Sequence, residues 1–493
     1  MTTASAAKTL LDGLDWQGKI FSGSWHAGGS GVIPVTNKAT GESLASLGVA
    51  SPADVATAAK SAAAAQVGWA NESREKRAAV LERAKQLLAE HRDEFAWWLV
   101  RESGSTLPKA SFEIDITIAK FDKVIAELGA NVFEEVIADA DGYRSVAERV
   151  PLGVVGVIGP FNFPLYLCLR AVIPALAYGN AVVLKPDQQT AVAAGILTAR
   201  IFEEAGLPKG VLHVLPGDAE PGKALATDPN IAMVAFTGSS AVGKSIGSVA
   251  GANLKRVSLE LGGNSPFIVL EDADIEAAAR CGSWGSFLHQ GQICMASSRH
   301  LVHESIAEAY AAALKTHADN LAVGDPALEQ VHLGPLINDK QCARVDRIVK
   351  ESVASGAVAT AGGTHTGNFY RPTVLTGVKP GMAAFDEEIF GPVAPITTFK
   401  TDDEAVALAN QTEYGLSASV HSKSLDHARK VARRLRTGMV HINDQTVNDD
   451  PRAPFGGVGA SGNGSRQGGH GSLDEYTTWH WSTERAEPPM YPF

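Results

Sequence analysis

The chain has 493 residues, too many for one ordinary hydrophobic core, so two or three domains are expected. Apolar residues make up 45% and charged residues 20%, the balance of a globular protein in water. The net charge of −11 is spread along the chain without a basic patch, which disfavours a nucleic-acid surface.

The opening MTTASAAKTLLDGLDWQGK lacks the continuous apolar run of a secretory signal, so a cytoplasmic location is expected. Residues 52–65 and 74–91 are rich in Ala, Glu and Lys, with apolar residues three and four apart, and read as helices. The stretch HRDEFAWWLVRESG continues the second and stops at Gly104. A polar segment, 134–149, leads into the longest apolar run, Val150 to Leu169. Pro151, Pro160, Pro164 and Asn162 interrupt that run, so it reads as a strand entering a turn rather than a membrane span. From there strands and helices alternate: strand 153–159, helix 165–178, strand 181–186, helix 190–205, GVLHVLPG, IAMVAFTGS and helix 240–250. This is the pattern of a parallel sheet with crossover helices, whose ligands sit where strands end and helices begin. A second alternating stretch, roughly 265–435, predicts a second α/β domain. Gly-rich PFGGVGASGNGSRQGGHGS, 454–472, reads as a surface loop, and EYTTWHWSTE alternates like a strand. Cys168, Cys281, Cys294 and Cys342 form no CxxC pair, so neither a disulfide frame nor a metal site is expected.

Five short stretches carry possible chemistry. Gly238–Ser245 in FTGSSAVGKS fits the phosphate loop of nucleotide hydrolases, and the strand-to-helix context favours an anion at the helix start. No apolar run ending in Asp follows to hold a magnesium ion, so a P-loop NTPase is the remote alternative. In GPFNFP, Asn162 offers an amide donor just after a strand, or simply closes the turn. In AVVLKP, Lys185 ends an apolar strand, as a cofactor group or a solvated terminus. In SLELGGNSP, Glu260 among apolar neighbours is a base with raised pKa or a salt-bridged strand residue. In HQGQICMAS, Cys294 follows a Gly-containing turn, where a thiol can be activated; the alternative is a buried structural Cys. A thiol hydrolase pairing Cys294 with His289 or His300 is a further alternative. Together a nucleophile, a base, an amide donor and a phosphate-ready helix start form a coherent kit.

With PFNFP, LKP, FTGSSAVG, LELGG, GQIC, EEIFGPV and PFGGVGASG in this order, the sequence resembles the aldehyde dehydrogenase superfamily over nearly its whole length. The resemblance implies a Rossmann-type parallel-sheet cofactor domain (1–127 and 152–262) and a second α/β catalytic domain (263–462). It also implies a small β oligomerisation element (128–151 and 472–493), in a homodimer or homotetramer. It implies Cys294 as nucleophile, Glu260 as general base, and Asn162 with the Cys294 backbone N–H as oxyanion hole. NAD or NADP is the implied cofactor. Its pyrophosphate is assigned to Ser239 and the Gly238–Gly243 backbone, its adenosine ribose to Lys185, and its nicotinamide end to Glu388 and Phe390. Relatives that pass the acyl group to coenzyme A usually lack the glutamate, so Glu260 favours hydrolysis. After LKP the family commonly has Glu two residues on; here Asp187 and Gln188 follow, and a neutral Gln188 implies use of both cofactors. The segment HINDQTVNDDPRAPFGG and the terminal YPF resemble the branch acting on benzaldehyde, vanillin and related aromatic aldehydes; aliphatic or semialdehyde substrates are the alternative. Phe163, Tyr166, Leu167, Trp284, Phe287 and Ile293 flank the proposed site in sequence and form an expected apolar slot, or pack as ordinary core. Arg170 lies one helical turn beyond Tyr166, to meet an acidic ring substituent or to sit at the surface.

Overall fold

The computed structural model describes residues 9–493; the first eight residues of the stretch judged for a secretory signal, and of the expected domain segment 1–127, lie outside them. Two seven-stranded sheets form the body. In the first the order is Arg256–Glu260, Met233–Thr237, Val154–Ile158, Ala181–Lys185, Leu212–Val214, Lys19–Ser22, Trp25–Ala27. The first five are parallel, and their residues are almost all buried, as parallel strands covered by helices on both faces must be. The parallel part of this sheet starts at Val154–Ile158, builds outward in one direction, then returns to add Met233–Thr237 on the other flank. The carboxyl ends of these two strands therefore mark a topological switch point, where loops diverge and leave a crevice.

The second sheet takes its strands from 265–442, in the order Val358–Ala361, Thr373–Thr376, Val393–Phe399, Ser297–His303, Ser265–Val269, Ser417–His421, Met439–Ile442. A third sheet is antiparallel and sets Tyr143–Pro151 between Glu134–Ala140 and the C-terminal strand Thr477–Arg485. Trp479 and Trp481 on that last strand are exposed.

Local chemistry explains several boundaries. Ser51 and Asp54 cap the helix Pro52–Ala70 reciprocally, and Gly104 ends Arg92–Ser103 in the left-handed conformation. The helix expected over 190–205 is not uniform. A short 3₁₀ turn and a π turn, Val192–Ile196, precede α-helix Leu197–Glu204, because the buried Glu102 carboxylate takes the N–H groups of Val192 and Ala193. The Gly-rich segment 454–472 is not a surface loop. It lies along the strand that ends in Glu260: Leu261 N–H donates to Ser461 O, Asn463 Oδ1 accepts from Leu259 N–H, and Ser461 Oγ–H donates to Gly262 O. Its glycines let backbone meet backbone.

No helix of the described residues is long and apolar enough to cross a membrane. The described residues also contain no cluster of His, Cys, Asp and Glu suited to a metal. All four cysteines are free.

Candidate functional site

The loops leaving the switch point open into a cavity of about 1020 Å³. Asn162, Leu167, Lys185, Gln188, Gly238, Ser239, Glu388, Phe390 and Cys294 all line it. Residues from both large sheets are thus brought to one chamber.

Cys294 arrives there through a sharp turn. The helix Ile275–Phe287 ends, and His289, Gln290 and Gly291 in succession adopt left-handed backbone. Gln290 Nε2 donates to the carbonyls of Gly104 and Pro335, and the Gln292 side-chain oxygen accepts from Ile337 N–H. The turn is therefore fixed from outside, which sustains two non-glycine residues at positive φ. Asn162 Nδ2 donates to Gln292 O at 2.9 Å, joining the loop after Val154–Ile158 to the residues just before Cys294. The glycines of LELGG have a steric reason. A Cβ at Gly263 would stand 2.2 Å from Cys294 O, and one at Gly262 would stand 2.4 Å from Glu388 Oε2. Only glycine admits this approach.

Cys294 is half-buried, and burial pushes its thiol up to about 12, opposed by the Arg170 guanidinium. Glu260 ends its strand opposite Thr237 and is 4% exposed. Neither of its carboxylate oxygens has a hydrogen-bond partner among the described residues, and burial pushes it up to about 8. It does not line the large cavity. It faces a small chamber of about 10 Å³ shared with Arg170, Ser258 and Gln467, and Ile158, Leu167, Phe236 and Thr237 line both spaces.

Elsewhere on the cavity lining, Lys185 is buried with its ammonium donating to Pro186 O, and burial lowers its pKa. Ser239 caps the helix Ser240–Ala252 through Val242 N–H, and Ser239, Ala241 and Val242 line the cavity. Glu388 Oε1 accepts from Gly263 N–H at 2.9 Å, and burial raises its carboxyl to about 7. Phe390 has left-handed backbone and sets its ring edge-on to Phe161 at 5.8 Å.

Gly243 stands apart from the other cofactor-loop residues. Its N–H is spent inside the helix on Ser239 O, and a Cβ there would meet Leu261 at 2.3 Å, so it permits close helix–strand packing. Lys244, which an NTPase would aim at phosphate, is exposed and pairs with Glu413 at 3.1 Å. His300 is buried with its ring held by Tyr310 and Ser286, remote from a role as base to Cys294.

Phe163, Tyr166, Leu167 and Ile293 do come together, in one apolar cluster with Phe455, Met295 and Leu416, and Cys294 packs against it. The other two aromatic residues of the expected slot do not join them. Phe287 packs with Phe267 and Tyr310 in the core of the second sheet, and Trp284 is 56% exposed. The three left-handed residues between that helix and Cys294 turn the helix away. Leu288, one place further on, is the residue that reaches the cluster. Arg170 is not at the surface. It is buried, its guanidinium stands 4.5 Å over the Phe455 ring, and it pairs with half-buried Asp449 at 3.3 Å. Tyr166 also bonds to Asp449. Phe161 and Phe455 were visible in PFNFP and PFGG but only as parts of motifs; nothing local marked Asp449.

Residues 25–482 match the aldehyde dehydrogenase family. The chain is 49% identical over 481 residues to the benzaldehyde dehydrogenase (NAD+) of Pseudomonas putida, covering 97% of this chain and 98% of that one. It is also 49% identical over 486 residues to a vanillin dehydrogenase of Amycolatopsis, covering 98% and 100%. Among solved structures, betaine aldehyde dehydrogenase from Staphylococcus aureus in complex with NAD+ superposes with a TM-score of 0.93 at 29% identity, covering 98% of this chain and 97% of that one. The chain belongs to the aldehyde dehydrogenase family.

Proposed function

We propose that this protein oxidises an aromatic aldehyde of the benzaldehyde type to the carboxylic acid, with NAD or NADP as cofactor. One observation carries the reading: Cys294 stands where an apolar, aromatic cluster meets a long cavity suited to a dinucleotide. The near-half identity to benzaldehyde and vanillin dehydrogenases supports the same substrate class.

The residues present fit such a cofactor. The helix start at Ser239 offers first-turn N–H groups to a pyrophosphate. Buried Lys185 and Gln188 lie along the same wall, and Glu388 with Phe390 forms the end next to Cys294. When bound, the dinucleotide supplies the hydride acceptor. The remaining work belongs to side chains. The Cys294 sulfur, its proton passed to solvent water, attacks the aldehyde carbon as the thiolate and gives the oxyanion of a thiohemiacetal. The Asn162 amide, with one N–H on Gln292 O, has a second for the developing oxyanion. Loss of hydride leaves a thioester. Glu260, near enough for its charge to be felt at Cys294, then takes a proton from water for hydrolysis. The apolar wall of Phe163, Tyr166, Leu167 and Phe455 holds a flat ring.

We further propose that the segments 128–151 and 472–493 join copies of this chain as a homodimer or homotetramer, through the sheet bearing Trp479 and Trp481, and that the enzyme is cytoplasmic. A panel of benzaldehyde, vanillin and hexanal, each with NAD and with NADP, followed by absorbance of the reduced cofactor, tests the reading. Faster turnover of the aromatic aldehydes is expected. Much faster turnover of hexanal would overturn the substrate class.

A further inference from the structure

The helix Leu107–Leu128 supplies none of the groups used above, yet its first turns present a buried ion pair to the loop carrying Asn162. Lys109 Nζ donates to Glu113 Oε2 at 2.6 Å, and the two side chains are 1% and 0% exposed. The ammonium makes a second bond, to the backbone carbonyl of Asn162 at 2.6 Å, and stands 4.0 Å over the Phe163 ring. Its three donor directions are thereby occupied. The other carboxylate oxygen, Glu113 Oε1, accepts from the N–H groups of Leu165 at 2.9 Å and Tyr166 at 3.2 Å. These belong to the first turn of the helix Pro164–Ala177, whose N-cap, Phe163, has no side chain able to satisfy them.

The pair therefore grips Asn162 from one side and the next helix from the other. Asn162 in turn bonds through Nδ2 to Gln292 O, two residues before Cys294. Stability is a poor explanation for this arrangement, because well-packed apolar residues usually replace a buried ion pair without loss. Geometry is the better one, since an oxyanion donor displaced by an ångström loses much of its effect.

We propose that Lys109 and Glu113 are positioning residues for the oxyanion hole: they fix the Asn162 backbone, and so the angle at which its amide meets the reacting oxygen. This rests on the reading of Cys294 as nucleophile and Asn162 as oxyanion donor. Ile116 of the same helix packs in the apolar cluster beside Ile293 and Met295, so the test is confined to Lys109 and Glu113, whose own bonds go to Asn162 and the helix that follows it.

Two reactions of the same sulfur, both run without dinucleotide, test it. Iodoacetamide alkylates the thiolate by displacing iodide and builds no oxyanion. With 4-nitrophenyl acetate the thiolate adds to the carbonyl, an oxyanion forms, and its collapse expels 4-nitrophenolate to leave an acetyl thioester. Lys109→Met and the double variant Lys109→Met/Glu113→Gln are compared with the unaltered protein. The ester reaction is expected to slow about tenfold to a hundredfold while alkylation holds its rate. An unchanged ester rate, or equal slowing of both reactions, overturns the proposal. If Lys109→Met does not fold, the double variant, which strands no buried charge, decides. An ester reaction of the unaltered protein that survives Cys294→Ala overturns the underlying reading instead.

Discussion

Raising the pH from 7 to 9 should accelerate release of the acid from the acyl-enzyme about tenfold. Glu260 is the reason: burial without a hydrogen-bond partner pushes its carboxyl from 4.5 to about 8. A base with that pKa is about one-tenth ionised at pH 7 and about nine-tenths at pH 9, so the rate follows that fraction and then levels. The Cys294 thiol, pushed to about 12, titrates too high to produce the same plateau. The two steps are therefore separable: attack by sulfur keeps rising with pH, while hydrolysis flattens. The assay is acid-quenched single turnover, with the thioester and the free acid quantified at each pH. The Glu260→Gln variant should form the thioester, hydrolyse it slowly and show no inflection near 8. A flat hydrolysis profile between pH 6 and 10 in the unaltered protein, or the same inflection in Glu260→Gln, would refute the argument.

The same raised carboxyl bears on stability. The folded chain keeps a proton that the unfolded chain releases, so Glu260 contributes stability that is present below 4.5 and lost as pH rises to about 8; urea titrations should show this slope reduced in Glu260→Gln. Asn162→Ala removes the amide that bridges to Gln292 O, and should lower kcat about a hundredfold or more with little change in dinucleotide Kd, measured by fluorescence quenching. Gly262→Ala places a methyl group 2.4 Å from Glu388 Oε2, and should raise KM for the dinucleotide by displacing that carboxylate. Arg170→Leu removes a buried guanidinium and leaves half-buried Asp449 without its cation, and should lower stability by urea titration by about 2–3 kcal/mol.

Much of the site was legible because its pieces are short and contiguous. Asn162 and Ser239 follow strands, Lys185 ends one and Cys294 follows a tight turn, and the alternation of strands and helices already aims such ends at one crevice. What failed was inference from sequence neighbourhood. Trp284 and Phe287 lie within ten residues of Cys294, but three left-handed residues intervene and send Phe287 into another core. The 454–472 segment has the composition of a surface loop, yet its glycines serve backbone contact with the strand that ends in Glu260. The helix Leu107–Leu128 escaped notice because Lys109, Glu113, Thr117 and Lys120 are buried on it, which breaks the apolar stripe that periodicity looks for. The Arg170–Asp449 pair joins residues far apart in the chain, and no local pattern announces that.

The most direct test is the chemical state of residue 294 during turnover. Benzaldehyde and NAD are mixed with the protein, the reaction is stopped in acid within one turnover, and the peptide holding Cys294 is weighed by mass spectrometry. A benzoyl thioester on that sulfur is predicted, with both the adduct and the reduced cofactor absent from Cys294→Ala. A Cys294→Ala protein that reduces nicotinamide at the original rate would contradict the account.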